Sequence, residues 1–338
     1  MGCAVEEVVR AALGLDAGDR AAVAGAIVVS LAEEGAARAR AELAEPSCCP
    51  RCGAGAPARR GRDARGRQRW LCRGCGRSFT KESFGLLSRS HLPASTWAEY
   101  ARAFAEGATL RDCAERCGVC LKTSFFMRHR MCEMLGIETV TLRPSGAPVE
   151  ADEAYLPASF SGNHSRDPSF SPGRPSRRRG GTGGGRRRQE RLITLADGRG
   201  GSEVGVAWGS PLGSAVAMMR SSLGASCVVR TERGGQMGHA ARLAGLAQER
   251  AEGRVNAVNA VHSRIKRFMR RFDGVSSRRM QSYMWWFSWA DTATGGVAGR
   301  LRELIALIPV GRYRTTWRAM VEAPYPPPPV PICASKNV

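Results

Sequence analysis

The segment VEADEAYL, residues 149–156, sets three carboxylates into a run that otherwise reads as a buried strand. Strand alternation puts Glu150 and Asp152 on one side and Ala151, Glu153 and Tyr155 on the other. A buried carboxylate without a partner is costly, so Asp152 calls for a cation beside it. Cations are in excess: the 338 residues hold 51 Lys and Arg against 30 Asp and Glu, a formal net charge of +21. Most of the cations are arginines, which suit phosphate better than lysines do. That balance points to a polyanionic partner, nucleic acid ahead of an anionic membrane surface.

Two downstream stretches offer company for Asp152. Glu232, in CVVRTERGG (227–235), lies just past an apolar strand. The second is VNAVNAVHSRIKRFMRRF (255–272), a helix with Val258, Val261, Ile265, Met269 and Phe272 as its core stripe. Asn259, His262 and Lys266, at i, i+3 and i+7, share a face beside that stripe. Oxygen ligands arriving from two strands and a helix suit magnesium, and such ions serve phosphodiester chemistry. The same acids would also serve simply as partners for the many arginines, and spacing does not separate the two readings.

Upstream, CPRCG (49–53) and CRGCG (72–76) supply paired thiols at Cys49, Cys52, Cys72 and Cys75. Four thiolates satisfy tetrahedral zinc, and Gly53 and Gly76 let the chain turn tightly after each second cysteine. Cys48 is adjacent and leaves one ligand open. A block this small (47–80) buries little core, so the metal holds it and its arginines, Arg69 among them, face a phosphate backbone.

The stretch TLRDCAERCGVCLKTSFFMRHRMCEML (109–135) opens with Thr109 and Asp112 at capping-box spacing. A short helix to Cys117, a turn at Gly118 and a second helix through Leu135 fit a helix-turn-helix within 92–136. The second helix offers Lys122, Thr123, Arg128, His129 and Arg130 to a DNA groove. An ordinary helical hairpin with a solvated basic face is the alternative. Cys113, Cys117 and Cys120 read as small core residues.

Residues 1–46 read as helical, and 161–190 form a Ser-, Gly-, Pro- and Arg-rich block without period. Strands RLITLA (191–196) and EVGVAW (203–208) flank a turn, then follow a helix at 211–223, a strand at 226–231 and a long helix at 254–273. After 291 come the amphipathic GRLRELIALI and a polyproline tail. The longest apolar run, 21–32, is too short to span a bilayer, and the acidic start is unlike a signal peptide. The expected location is cytoplasmic and nucleoid-associated, or nuclear in a eukaryotic host.

Together these motifs resemble the insertion-sequence transposases that join an N-terminal zinc ribbon to an ISXO-like catalytic domain. The resemblance runs through CPRCG, QRWLCRGCGRSFT, TLRDCAERCGVCLKTS, MRHRM, EADEAYLPASFSGNHS, RPSRRRGG, VNAVHSRIKRFMRRFDGVSS and QSYMWWF, roughly residues 45 to 290. It implies a multidomain α+β protein: helical N-terminus, zinc ribbon, helix-turn-helix, and an RNase H-like α/β domain with a mixed sheet over 147–290. It implies that Asp152 and Glu232 hold magnesium or manganese, with Asn259 as third active-site residue and Lys266 assisting. The basic insertion would track DNA phosphates. The implied partner is double-stranded DNA, both element ends and target, handled by a homo-oligomer, with no membrane and no small-molecule substrate. The sequence departs from the family in several places. Glu232 stands where the family has Asp, and Cys120 replaces the Ser expected to cap the recognition helix. SSRRM (276–280) stands in place of a Thr-Lys-Tyr sequence. Between Glu232 and Asn259 the pattern lacks the expected turn and strand, and 291–338 reads as a divergent, partly disordered tail.

Overall fold

The computed structural model describes residues 2–16, 18–20, 23, 26, 27, 30, 45–162 (less 65, 82, 84 and 89), 170, and 189–322 (less 233, 234, 254, 309, 310 and 314). The basic insertion, apart from its ends and Phe170, and the polyproline tail lie outside them. The described residues form a mixed α/β protein with ten α-helices and two sheets. No helix among them is long and apolar enough to cross a membrane. The chain divides into two compact units, one from Met1–Glu138 and Thr294–Thr315, the other from Thr139–Ala293 and the described residues after 315.

In the first unit, α1 (Gly2–Leu13) precedes a three-stranded antiparallel sheet of β1 (Ala58–Arg62), β2 (Gln68–Leu71) and β3 (Ser78–Phe79). Beyond α1, the few described residues of the stretch expected to be helical up to 46, such as 18–20, are helical. The small sheet buries Trp70 and Phe79, stacked with ring centroids 6.3 Å apart, against Cys49 and Cys72. Three helices follow: α2 (Ala94–Glu106), α3 (Leu110–Arg116) and α4 (Leu121–Glu138). The capping box forms as expected: Thr109 accepts from the Asp112 amide, and the Asp112 carboxylate accepts from the Thr109 amide at 3.0 Å. Gly118, at φ +60°, makes the turn between α3 and α4. Tyr100 donates to the Ser124 carbonyl at 2.6 Å and Ser124 donates to the Leu110 carbonyl at 2.8 Å, locking the three helices together.

The amphipathic helix expected at GRLRELIALI forms, and the polyproline tail lies outside the described residues. Residues 296–307 form α9, numbered after the helices of the second unit, and α9 packs on α2. The segment beyond it closes over α4: Arg312 donates to Glu138 at 2.8 Å, and the Thr315 amide donates to Glu133 at 3.1 Å. The Leu86 amide donates to the Gly311 carbonyl at 2.9 Å. The helical unit is therefore completed by residues far along the chain, a distance that local pattern reading does not see.

The second unit is a five-stranded sheet of β4 (Val149–Pro157), β5 (Gln189–Ala196), β6 (Ser202–Val206), β7 (Val228–Thr231) and β8 (Ala247–Arg250), in the order β6-β5-β4-β7-β8. The first three are antiparallel neighbours, whereas β7 and β8 run parallel to β4. Asp197 makes the β5–β6 turn by accepting from the Arg199 and Gly201 amides at 2.8 Å each. One sheet face packs on α5 (Pro211–Ser222) and α6 (Gln236–Ala244), burying Val149, Ala151, Ile193, Leu195, Val229 and Met237. α7 (Asn256–Met269) packs on β4 and β5, and α8 (Met280–Thr292) packs on β6. Gln281 and Ser288 of α8 accept from the Val206 and Val204 amides at 2.8 and 3.2 Å, so the outer edge of β6 is not left open. A six-residue α10 (Trp317–Glu322) follows in this unit.

Between Glu232 and Asn259 the expected gap is not there: α6 and β8 fill it. β8 escaped notice because AQER has a single apolar residue and, as an edge strand, exposes three of its four side chains.

Candidate functional site

The cysteine site forms first along the chain. Cys49, Cys52, Cys72 and Cys75 bring their sulfurs within 4.8 Å of one another, an arrangement able to hold a metal such as zinc. Among the described residues this is the one convergence of three or more His, Cys, Asp or Glu side chains. Cys49, not Cys48, is the member. Each knuckle closes the same way: the Gly53 amide bonds to the Cys49 carbonyl and the Gly76 amide to the Cys72 carbonyl, both at 2.9 Å. Gly53 and Gly76 have φ of +76° and +68°, a region open to glycine at little cost. The Arg51 and Cys75 amides point at the Cys49 and Cys72 sulfurs at 3.4 Å, donors that stabilise thiolates. Burial pushes the Cys49 thiol up to about 12, whereas the Cys75 amide, against burial, draws Cys72 down to about 7. With thiols this crowded, a bound dication is what makes four thiolates compatible. Around them Arg51, Arg60, Arg62, Arg73 and Arg77 are exposed, and Arg69, half-buried, donates to Ser78 at 3.2 Å.

Two helices, α3 and α4, meet at the Gly118 turn as expected, but three of the DNA contacts expected of the second are buried. Arg128, His129 and Arg130 are buried, with 0%, 3% and 5% exposure. Arg128 donates to the Ala108 carbonyl at 2.8 Å and lies over the Phe104 ring. Arg130 donates to the Leu86 and Ser88 carbonyls, bonds Tyr313, and sits between the Phe126 and Tyr313 rings at 4.4 and 3.9 Å. His129 meets Phe125 edge to face. These groups hold α4 in place because the helix is covered nearly all round, partly by Arg312, Tyr313 and Thr315. Lys122, exposed, and Thr123, half-buried, occupy the first turn of α4, the part of such a helix that reaches base edges. Cys113 is in the core and Cys117 half-buried, but Cys120 is exposed beside Thr123, with its thiol lowered by that hydroxyl and by helix N-terminal amides.

In the second unit, β4 and β7 pair in parallel with Val149 opposite Val229 and Glu150 opposite Arg230. Asp152 lies two residues beyond that pairing on β4 and Glu232 just past the end of β7, near enough for the charge of Glu232 to act on Asp152. Both lie on the face opposite the Val149–Ala151 core. Burial holds Asp152 above the ordinary carboxylate range; a Glu153 amide bond opposes this, and the charges of Glu232 and Glu153 add to it. Glu232 also accepts from the Val255 amide at 3.3 Å, and Glu150 from the Val258 amide at 3.1 Å. Two carboxylates thus meet the free amides and positive end of α7, an anchor that pattern reading had not assigned to Glu150. Glu153, on the other face, pairs with Arg191 at 3.4 Å.

Asn259, half-buried, lies one turn into α7, directly after the amides that Glu232 and Glu150 hold. His262 is buried and Lys266 exposed, so the face shared by these three grades from solvent to core. Burial, helped by the charge of Lys266, lowers His262 to about 4, which keeps it neutral near pH 7. Thr194, fully buried and directly across from Asp152, has no partner for its hydroxyl among the described residues. No sequence pattern marks Thr194. The arrangement offers two hard carboxylate oxygens and a neighbouring amide at one end of a sheet, a donor set that fits magnesium or manganese better than a soft metal.

Compared with protein-family models and with curated proteins, the chain matches none.

Proposed function

We propose that the chain is a transposase of the ISXO-like insertion-sequence type, binding the ends of its element and cutting and joining DNA. The observation that carries the reading is Asp152 on β4 near Glu232, which follows the end of the parallel strand β7, with the helix bearing Asn259 tied to Glu232. A sheet ordered β6-β5-β4-β7-β8 with three antiparallel and two parallel strands supports an RNase H-like domain. In that reading Asp152 and Glu232 hold magnesium or manganese, which supplies charge neutralisation at the phosphodiester. Asn259 orients the scissile phosphate or attacking water through its side-chain amide. Lys266 neutralises a neighbouring phosphate, and the freed 3′-hydroxyl is presented to target DNA. The cysteine cluster with zinc and the first turn of α4 recognise the element's inverted repeats, and two ends held together call for a homo-oligomer.

A second reading, a remnant that binds DNA without cutting it, is favoured by one detail: an oxygen of Glu232 is already committed to the Val255 amide. A glutamate where the family has aspartate also moves the carboxylate by about 1 Å, a shift that costs on the order of a hundredfold in rate. Incubating the protein with duplex carrying the element ends and manganese separates the readings. Cleavage by the parent chain that Asp152→Ala abolishes supports the transposase. Cleavage only by Glu232→Asp supports the remnant. Cleavage that persists unchanged in Asp152→Ala contradicts both.

A further inference from the structure

A line of exposed groups continues from Asn259 down α7. At 3.6 residues per turn, Asn259, Ser263, Lys266 and Arg270 (i, i+4, i+7, i+11) fall within about 60° of one another around the axis. Ser263, Lys266, Arg267, Arg270 and Arg271 are all exposed, with Arg270 opening the 3-10 turn Arg270–Phe272 that prolongs the helix. None of the ion pairs among the described residues includes these four cations. Like charges four apart on a helix repel by roughly 0.2–0.5 kcal/mol per pair, and both Lys266–Arg270 and Arg267–Arg271 are such pairs. The negative end of the helix offsets this for a cation in the last turn. It gives no reason for Lys266 and Arg270 to fall in line with Asn259, with Arg267 flanking them about 80° round the axis from Asn259.

Resting on the reading above, we propose that Lys266, Arg267 and Arg270 form a phosphate track for the DNA strand approaching Asn259. This contact surface belongs to the second unit and is separate from the cysteine block and the helix-turn-helix. Along the axis, Lys266 lies about 10 Å and Arg270 about 16 Å beyond Asn259 at 1.5 Å per residue. A strand rising 3.4 Å per nucleotide places about three to five phosphates over that distance. Arginine at two of the three positions fits bidentate phosphate contact, and Ser263, between Asn259 and Lys266, turns its hydroxyl back to the Asn259 carbonyl at 3.2 Å.

The test is a salt series with the zinc-loaded full chain and a short random-sequence duplex. Each lost phosphate contact lowers the slope of log K against log salt by about 0.9, so Arg267→Gln with Arg270→Gln should lower it by about 1.8. Arg267→Lys with Arg270→Lys should restore most of it, and the melting curve should not move. A parent chain that binds duplex with a slope the Gln pair leaves unchanged overturns the track and leaves the transposase reading standing. A parent chain that binds no duplex overturns both. If the Gln pair instead loses binding to phosphatidylserine vesicles while holding duplex as before, the patch belongs to a membrane surface and the track is wrong.

Discussion

The cysteine cluster, which could hold a metal, and the carboxylates Asp152 and Glu232, proposed to hold one, are gathered in opposite ways. The four sulfurs come from two short loops, each closed by its own glycine, so local turns alone bring them together. The carboxylate site is joined across the fold: the Glu150 to Val258 bond links residues 108 apart, and the Asp152–Glu232 pairing exists only because β4 and β7 lie side by side. A site of the first kind, once loaded with zinc, draws its folding energy from the metal. The second depends on a fold that stands without it, and carries its charges as a cost. Both regions respond to perturbation in ways that put this contrast at risk.

The largest effect belongs to zinc. Cys72→Ser should abolish stoichiometric zinc, read by metal analysis, and with it the β1–β3 sheet, read by amide NMR; structural zinc contributes about 10–16 kcal/mol in small domains of this kind. Asp152→Ala should leave zinc content untouched. Loss of the second unit's signals in Cys72→Ser would break the contrast.

Next come the buried cations of α4. Arg130→Ala should cost about 3 kcal/mol in urea unfolding, since it strips charged bonds from the buried Leu86 and half-buried Ser88 carbonyls and empties the gap between two rings. Lys122→Ala should stay within about 0.5 kcal/mol of the parent in the same melts yet weaken duplex binding.

His262 gives an effect of similar size with a defined pH dependence. Its folded value of about 4 lies below the unfolded 6.5, so the unfolded chain binds the extra proton between those values. Stability is full above pH 6.5 and declines toward pH 4, by on the order of 3 kcal/mol. Unfolding free energies measured across that range should slope in the parent and flatten in His262→Gln.

The smallest effect sharpens the idea of a site carried at a cost. Asp152 is held above its ordinary range, so above that raised value its charge opposes folding. Asp152→Asn should therefore raise stability by about 0.5–1 kcal/mol in thermal melts while removing cleavage.

Sequence reading went furthest where the code is local. The CxxC pairs, the Thr109–Asp112 box and the strands around Asp197 stand where periodicity and turn chemistry put them. It failed where distant chain decides. Arg128, His129 and Arg130 look like a basic face, yet Arg128 turns to the Ala108 carbonyl and Phe104, His129 to Phe125, and Arg130 to Leu86, Ser88 and the distant Tyr313. β8 has no apolar alternation because it is an edge. Thr194 and Glu150 acquire their places from strand register and from the seat of α7, neither of which leaves a mark in composition. The acids themselves were legible as an oddity; that Asp152 and Glu232 are neighbours required the sheet.

The most direct test of the central claim is a manganese titration of the zinc-loaded full chain, followed by calorimetry or electron paramagnetic resonance. A manganese site in the parent chain that both Asp152→Ala and Glu232→Gln remove, with zinc content unchanged, is the expected result. Manganese binding that is absent, or that is identical in all three proteins, would contradict it.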